Sequence, residues 1–235
     1  MNFNLLYLKN TTILKQLQIE EALLRTDNNN WLIVNEGTPE PTIVMGISKK
    51  LEEEVCSIKL MKNPIPIIKR FSGGGTVVVD SNTLFITFIM NKKDFVPYGK
   101  SFPEPIMRWL ADIYQEIFPQ GFALKENDFV IGNNKIGGNA QYIQKKRWLH
   151  HTSFLWDFNN KHMDYLLLPQ KRPEYRKDRL HSGFLDVLKN HFPEKEVFIS
   201  KLIKIIQNNF ALTPIQLNQI NLSIPHRKTT IDLRR

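Results

Sequence analysis

Hydrophobic residues along the chain follow two rhythms, helical in some segments and strand-like in others. In ILKQLQIEEALLR, residues 13–25, the spacing puts Ile13, Leu17 and Leu24 near one helical face. Thr11 or Thr12 can cap that helix, and Asn28 to Asn30 end it. Strand-like runs follow in WLIVN (31–35), TIVMGIS (42–48) and IPIIKRF (65–71), the last kept from helix by Pro64 and Pro66. TVVVD (76–80) and LFITFIM (84–90) flank SNT and read as a hairpin. Helical spacing returns in PEPIMRWLADIYQEIF (103–118), where Ile106, Leu110, Ile113 and Ile117 form a core stripe. Two short runs then surround the turn GNN within 127–141, and WLHHTSFLWDF (148–158) supplies another strand. Phe198, Leu202, Ile205, Ile206 and Phe210 give an amphipathic helix over 194–210. Within the tail, 211–235, the stretch IPHRKTTIDLRR (224–235) shows little periodicity and is expected to be mobile.

Composition narrows the class. With 235 residues, 42% of them hydrophobic, and no repeat or linker, one domain over 1–235 is expected, burying ~70% or more of its unfolded surface. A formal charge of +9 favours an acidic partner: nucleic acid, anionic lipid, a phosphorylated substrate or an acidic protein. The single cysteine, Cys56, excludes an intrachain disulfide framework and suits a reducing compartment. No apolar run is long enough to span a bilayer and MNFNLLYLKN makes no signal peptide, so a cytoplasmic location with no membrane partner is expected. Adjacent His150 and His151 point to opposite faces of a strand and cannot share one metal.

Candidate chemistry gathers at two glycine-rich segments. In RFSGGGTVVVD, residues 70–80, Gly73, Gly74 and Gly75 permit a tight turn or close approach of a ligand to the backbone, with Arg70 and Ser72 beside them. A strand follows the glycines, not a Lys-Ser/Thr pair opening a helix, which removes the Walker loop and the dinucleotide fingerprint. In ENDFVIGNNKIGGNAQ, residues 126–141, Lys135 lies just past the hairpin tip. Strict alternation would put Lys135, Gly137 and Asn139 on one face and Ile136, Gly138 and Ala140 on the other. A basic run, PQKRPEYRKDR, carries Lys171, Arg172, Arg176, Lys177 and Arg179; such a run is ordinarily a solvated face.

Taken in order, KRFSGGGTVVVD, ENDFVIGNNKIGGNAQ and WLHHTSFL resemble the lipoate-protein ligase A family, within the wider group of lipoyl, octanoyl and biotin protein ligases. The similarity is closest to the short plant-type ligase-like form lacking the C-terminal accessory domain. It implies an α+β catalytic domain with a central mixed sheet flanked by helices, related to class II aminoacyl-tRNA synthetases. The implied activity is conversion of lipoate or octanoate by ATP and Mg²⁺ to an acyl-adenylate. The acyl group then passes to a lysine of an acidic lipoyl domain, of a 2-oxoacid dehydrogenase complex or the glycine cleavage H protein. A separate accessory subunit is an expected partner.

Residue by residue, the resemblance makes Lys135 the catalytic lysine and Asp128 the metal ligand. It places Arg70, Ser72, Gly73, Gly74, Gly75, Asn127, Gly137, His151 and Thr152 around lipoyl-adenylate. Val77 and Val78 would offer backbone hydrogen bonds to adenine. Gly137 stands where bacterial ligases carry serine, and Val79 where they often carry histidine. Cys56 lies outside every motif, against a thioester-forming transferase. The rival readings are a catalytically silent lipoate-binding protein and a nucleic acid-binding module.

Overall fold

The computed structural model describes residues 1–95, 97, 103–118, 120–169 and 172–233. Its main sheet has eight strands in the order β11-β1-β2-β6-β10-β9-β8-β7. They are β1 (Asn2–Leu8), β2 (Asn30–Asn35), β6 (Thr83–Asn91), β7 (Phe122–Lys125), β8 (Asp128–Ile131), β9 (Asn134–Ile143), β10 (Arg147–Leu155) and β11 (Ala211–Ile215). β1 runs parallel to β2 and β11, while the pairs from β2 to β7 are antiparallel, so the sheet is mixed. A smaller sheet has the order β12-β4-β3-β5, from β3 (Thr42–Met45), β4 (Ile67–Lys69), β5 (Val77–Val79) and β12 (Ile231–Asp232).

The longer helices are α1 (Ile13–Thr26), α4 (Pro103–Gln115) and α7 (Lys195–Asn209). Thr12, not Thr11, caps α1, its hydroxyl accepting from the Lys15 N–H at 3.4 Å. Short helices α2 (Leu51–Glu54), α3 (Ser57–Lys62), α5 (Asn160–Met163) and α6 (His181–Phe184) sit in the connections.

β6 shows why the sheet is central. All nine of its residues are buried because both faces are covered. Leu84, Ile86, Phe88 and Met90 join Ile106, Leu110, Phe198 and Leu202 of α4 and α7 on one side. Phe85 and Ile89 join Leu17 and Leu24 of α1, and Val44, Ile68 and Val79 of the small sheet, on the other. The small sheet and α1 therefore form a lid over one face, and the cavities described below lie between these layers.

Three expectations are corrected. The strand expected over 42–48 stops at Met45, and the glycine turn crosses at Gly46, where an added Cβ would stand 2.2 Å from the Gly74 carbonyl oxygen. The hairpin expected of 76–80 and 84–90 does not form: β5 pairs with β3 in the small sheet, while β6 pairs with β2 and β10 in the main sheet. The described part of the tail is folded: β11 pairs with β1, β12 pairs with β4, and the Thr229 and Thr230 N–H groups donate to the buried Glu21 carboxylate at 2.9 and 3.0 Å. Its pairing needs partners some two hundred residues away, which local periodicity does not reveal.

Candidate active site

Two cavities, of about 500 and 460 Å³, meet at the glycine turn. Gly74, Gly75, Val77, Asn127, Asp128, Lys135 and Gly138 line both. The first extends among Ile13, Leu17, Val44, Val79, Phe85 and Met107, an apolar slot between α1, the small sheet and α4. The second extends past Val78 and Thr83 to Arg172, Arg176, His181 and Phe184.

Arg70 builds the turn. It is 4% exposed, and its Nη2 donates to the carbonyls of Gly73 and Gly75 at 2.9 and 2.8 Å, gathering the loop around one guanidinium. Burial pulls its pKa down to about 10, still well above neutrality, so it stays charged. Gly74 is required twice over: its φ is +108°, and an added Cβ would meet Arg70 Nη2 at 2.7 Å. At Gly75 an added Cβ would meet nothing within 4 Å. Gly74 thus shapes the turn, whereas Gly75 keeps space open.

From Arg70 a buried chain of hydrogen bonds crosses to α1. Arg70 Nε donates to Ser72 Oγ at 3.1 Å, leaving the hydroxyl proton for His151 Nε2 at 3.2 Å. His151 Nδ1–H then donates to Glu20 Oε2 at 3.0 Å. The other Glu20 oxygen accepts from Gln16 Nε2 at 2.8 Å and from Thr87 Oγ1 at 2.7 Å. Ser72 therefore lies behind the cavity wall, supporting Arg70 and His151, which both line the first cavity.

Lys135 stands at the junction because of an irregularity. Phe129 pairs with Gly137 but Val130 pairs with Lys135, leaving Ile136 as an extra residue in β9. Strict alternation is broken there. Ile136 and a Cβ added at Gly137, which would crowd Phe154 at 3.0 Å, both face the helix layer, while Lys135 and Gly138 face the cavities; Gly137 still borders the second cavity through its backbone. The expected shared face of Lys135 and Gly137 is thereby corrected. Lys135 Nζ lies 2.6 Å from Asp128 Oδ1, and the Tyr175 hydroxyl donates to Asp128 Oδ2 at 2.8 Å. Burial and then the adjacent Asp128 carboxylate push that phenol well above its ordinary range, so it remains a donor.

The remaining expected residues separate into two sets. Asn127 lines the junction, its carbonyl accepting from Asn139 Nδ2 at 3.1 Å. Val77 and Val78 lie on β5, the edge of the small sheet, with one row of backbone groups outside that sheet's ladder. Thr152 does not join the site: it pairs with Asn139 across the sheet and donates to Asn139 Oδ1 at 2.8 Å, on the face opposite His151. His150 shares that face, and burial, then neighbouring His151, holds it well below the ordinary imidazole range.

The basic run is not a plain solvated surface. Arg179 donates to the Asn133 carbonyl and to Asn134 Oδ1, both at 2.8 Å, clamping the hairpin tip that carries Lys135. Lys171 lies outside the described residues. Sequence reasoning missed Glu20, Gln16 and Tyr175. Glu20 had a signal, since helical spacing from Leu17 and Leu24 sets a carboxylate on the core face of α1. Among the described residues no three His, Cys, Asp or Glu side chains come together as a metal cage, and no helix is long and apolar enough to cross a membrane.

The site thus sets a lysine-carboxylate pair, Lys135 and Asp128, between an apolar and a cationic cavity. The chain belongs to the lipoyl protein ligase A/B catalytic domain family, whose model matches residues 12–211. It is 30% identical to a protein of Plasmodium falciparum (isolate 3D7) named inactive lipoate-protein ligase 2, over 83% of this chain and 67% of that protein. Its fold matches the bipartite lipoate protein ligase of an archaeal lipoylation system from Thermoplasma acidophilum (TM-score 0.70, 19% identity, 93% of this chain and 89% of that one). It also matches a lipoate-protein ligase A bound with ATP (TM-score 0.68, 18% identity, 92% of this chain and 90% of that one). The chain spans between 34% and 67% of the lengths of the curated relatives it matches.

Proposed function

We propose that this chain is a catalytic domain that activates lipoate, or octanoate, with ATP and transfers the acyl group to a lysine of an acidic lipoyl domain. The observation that carries this reading is the position of Lys135, where an apolar slot opens into a cationic cavity. The slot fits an acyl chain with its carboxylate at the junction, and the second cavity fits a nucleotide, with β5 backbone groups toward the base.

In the first step a carboxylate oxygen attacks the α-phosphorus and the bond to the leaving pyrophosphate breaks. In the second, the neutral carrier amine attacks the acyl carbonyl, the C–O bond to AMP breaks with its electron pair on AMP, and the amine loses a proton to solvent. Negative charge builds on phosphate oxygens in one step and on the carbonyl oxygen in the other. A fixed ammonium at Lys135 can stabilise both, a kind of stabilisation typically contributing ~3 to 4 kcal/mol.

Asp128 suits a Mg²⁺ that takes its other ligands from phosphate and water oxygens, since such ions are commonly held by one or two carboxylates. Each Asp128 oxygen accepts one bond, from Lys135 and from Tyr175, which leaves a lone pair on each for the ion. Bound there, the ion would neutralise phosphate charge. The formal charge of +9 complements an acidic carrier, and the cytoplasm, which keeps Cys56 reduced, suits the activity. The bipartite relative supports a separate accessory subunit as a further partner.

A silent lipoate-binding protein is the second reading, favoured by the name of the Plasmodium relative. Intact-mass analysis of a lipoyl domain incubated with this protein, Mg-ATP and lipoate or octanoate decides between them. A lipoyl or octanoyl increment supports the ligase; bound acid without a mass change supports the silent binder.

A further inference from the structure

The ligase reading leaves one buried cation without a task. Arg176 is 4% exposed, lines the second cavity, and stacks over Phe184 with its guanidinium carbon 4.6 Å from the ring centroid. Its Nε donates to the Arg179 carbonyl at 3.2 Å, but its Nη2 is buried with no acceptor among the described residues. A buried charged donor left unpaired is costly, and such groups in folded proteins ordinarily have a partner. The carboxylates that line the same cavity are occupied. Asp128 holds Lys135 and Tyr175, Glu54 holds Lys49 at 2.7 Å, and Glu126 accepts the Glu174 N–H at 2.7 Å.

Other cations share that wall. Arg172 lines the cavity, and its acidic partner, Asp178 at 3.5 Å, is fully exposed. Burial, then the charges of Arg176 and Lys135, holds His181 down at about 4. Arg176 itself is held below its ordinary value by burial and then by Arg172. The cavity wall thus carries surplus positive charge and a free planar donor, which suits a multiply charged oxyanion.

We propose that Arg176 is the anchor for the β- and γ-phosphates of the nucleotide, and for the pyrophosphate that leaves. This rests on the ligase reading and assigns the two half-reactions different needs. Adenylation must hold a polyphosphate in line for displacement, whereas transfer from a finished acyl-adenylate involves no pyrophosphate. Arg176 therefore serves the first step.

The test compares wild type with Arg176→Met, which keeps an apolar stem over Phe184, and with Arg176→Gln. Titration with inorganic pyrophosphate should show binding to wild type and a loss of about tenfold to a hundredfold in both variants, the range expected for a charged hydrogen bond. The KM for ATP in adenylation should rise by a similar factor, while transfer from synthetic lipoyl-adenylate falls far less. Equal pyrophosphate affinity in wild type and both variants overturns the assignment. So does a parallel fall of both half-reactions, or failure of both variants to fold, either of which gives Arg176 a structural role through Phe184. If wild type performs neither half-reaction, the ligase reading fails, while the pyrophosphate titration still decides the anion site by itself.

Discussion

On the apolar side of Lys135, charge is matched inside the protein. Arg70 is wrapped in carbonyls, and Glu20 takes donors from His151, Thr87 and Gln16. On the other side Arg176 keeps a donor unpaired among the described residues, and the Arg172 partner is out in water. The two cavities share a glycine turn, yet charge is matched within the wall of one and left in surplus on the wall of the other. The difference teaches that the first cavity is a property of the fold, held by the same bonds that hold α1 to the sheet, whereas the cationic wall of the second is not balanced by the fold.

The sharpest way to break this comparison is at its boundary. Lys135→Ala should lower transfer from lipoyl-adenylate by about a hundredfold or more, the worth of a ~3 to 4 kcal/mol stabiliser, with little change in thermal stability. Single-turnover kinetics beside a melting curve checks this, and near-normal transfer would remove Lys135 from the chemistry.

On the matched side, Glu20→Ala should cost about 3 kcal/mol of folding stability, because it strands buried donors from three elements. Urea titration reads it; a loss under about 0.5 kcal/mol, the range of ordinary surface changes, would mean the network is not what holds the slot.

The glycine turn gives a smaller pair of effects. Gly74→Ala should destabilise by about 2 kcal/mol through its positive φ, while Gly75→Ala should leave stability within about 0.5 kcal/mol and weaken adenylate-analogue binding. Calorimetric titration and denaturation of both variants compare them, and interchangeable behaviour would refute the division of labour.

The smallest effect is acidic. His181 is held near 4 in the folded protein against an ordinary 6.5, so the unfolded chain binds more protons between these values. Stability is therefore full above about pH 6.5 and declines as pH falls toward about 4; His150, also depressed, acts with the same sign. His181→Gln should flatten part of that slope in denaturation at stepped pH, and bound pyrophosphate should reduce it in wild type. An unchanged slope in the variant would show that His181 is not held neutral.

Much of this was legible in the residues themselves. Periodicity marked α1, α4, α7 and the strands that bury both faces, and the order of the two glycine segments marked the site. Phase was harder. Alternation from Lys135 assigns Gly137 to the wrong face because a single extra residue, Ile136, is signalled by nothing local. The resemblance sets Arg70 beside the ligand; what no local pattern showed is that its donors go largely to its own loop while it lines the first cavity. Tyr175 was invisible because its partner, Asp128, is 47 positions away, beyond any helical or strand spacing.

The pairing of β1 with β11 has a consequence for synthesis. β1 leaves the ribosome long before its neighbour β11, Asn2 lying beside Ala211 in the ladder. Strand β12 likewise closes on β4 long after β4 has been made, with Ile231 beside Lys69. Each sheet therefore keeps an open edge while translation continues, and unpaired edges are where nascent chains associate wrongly. Such long-range pairing also slows folding. β11 acts as a zip for β1, so protease resistance of the emerging chain should arrive only after β11 has been made.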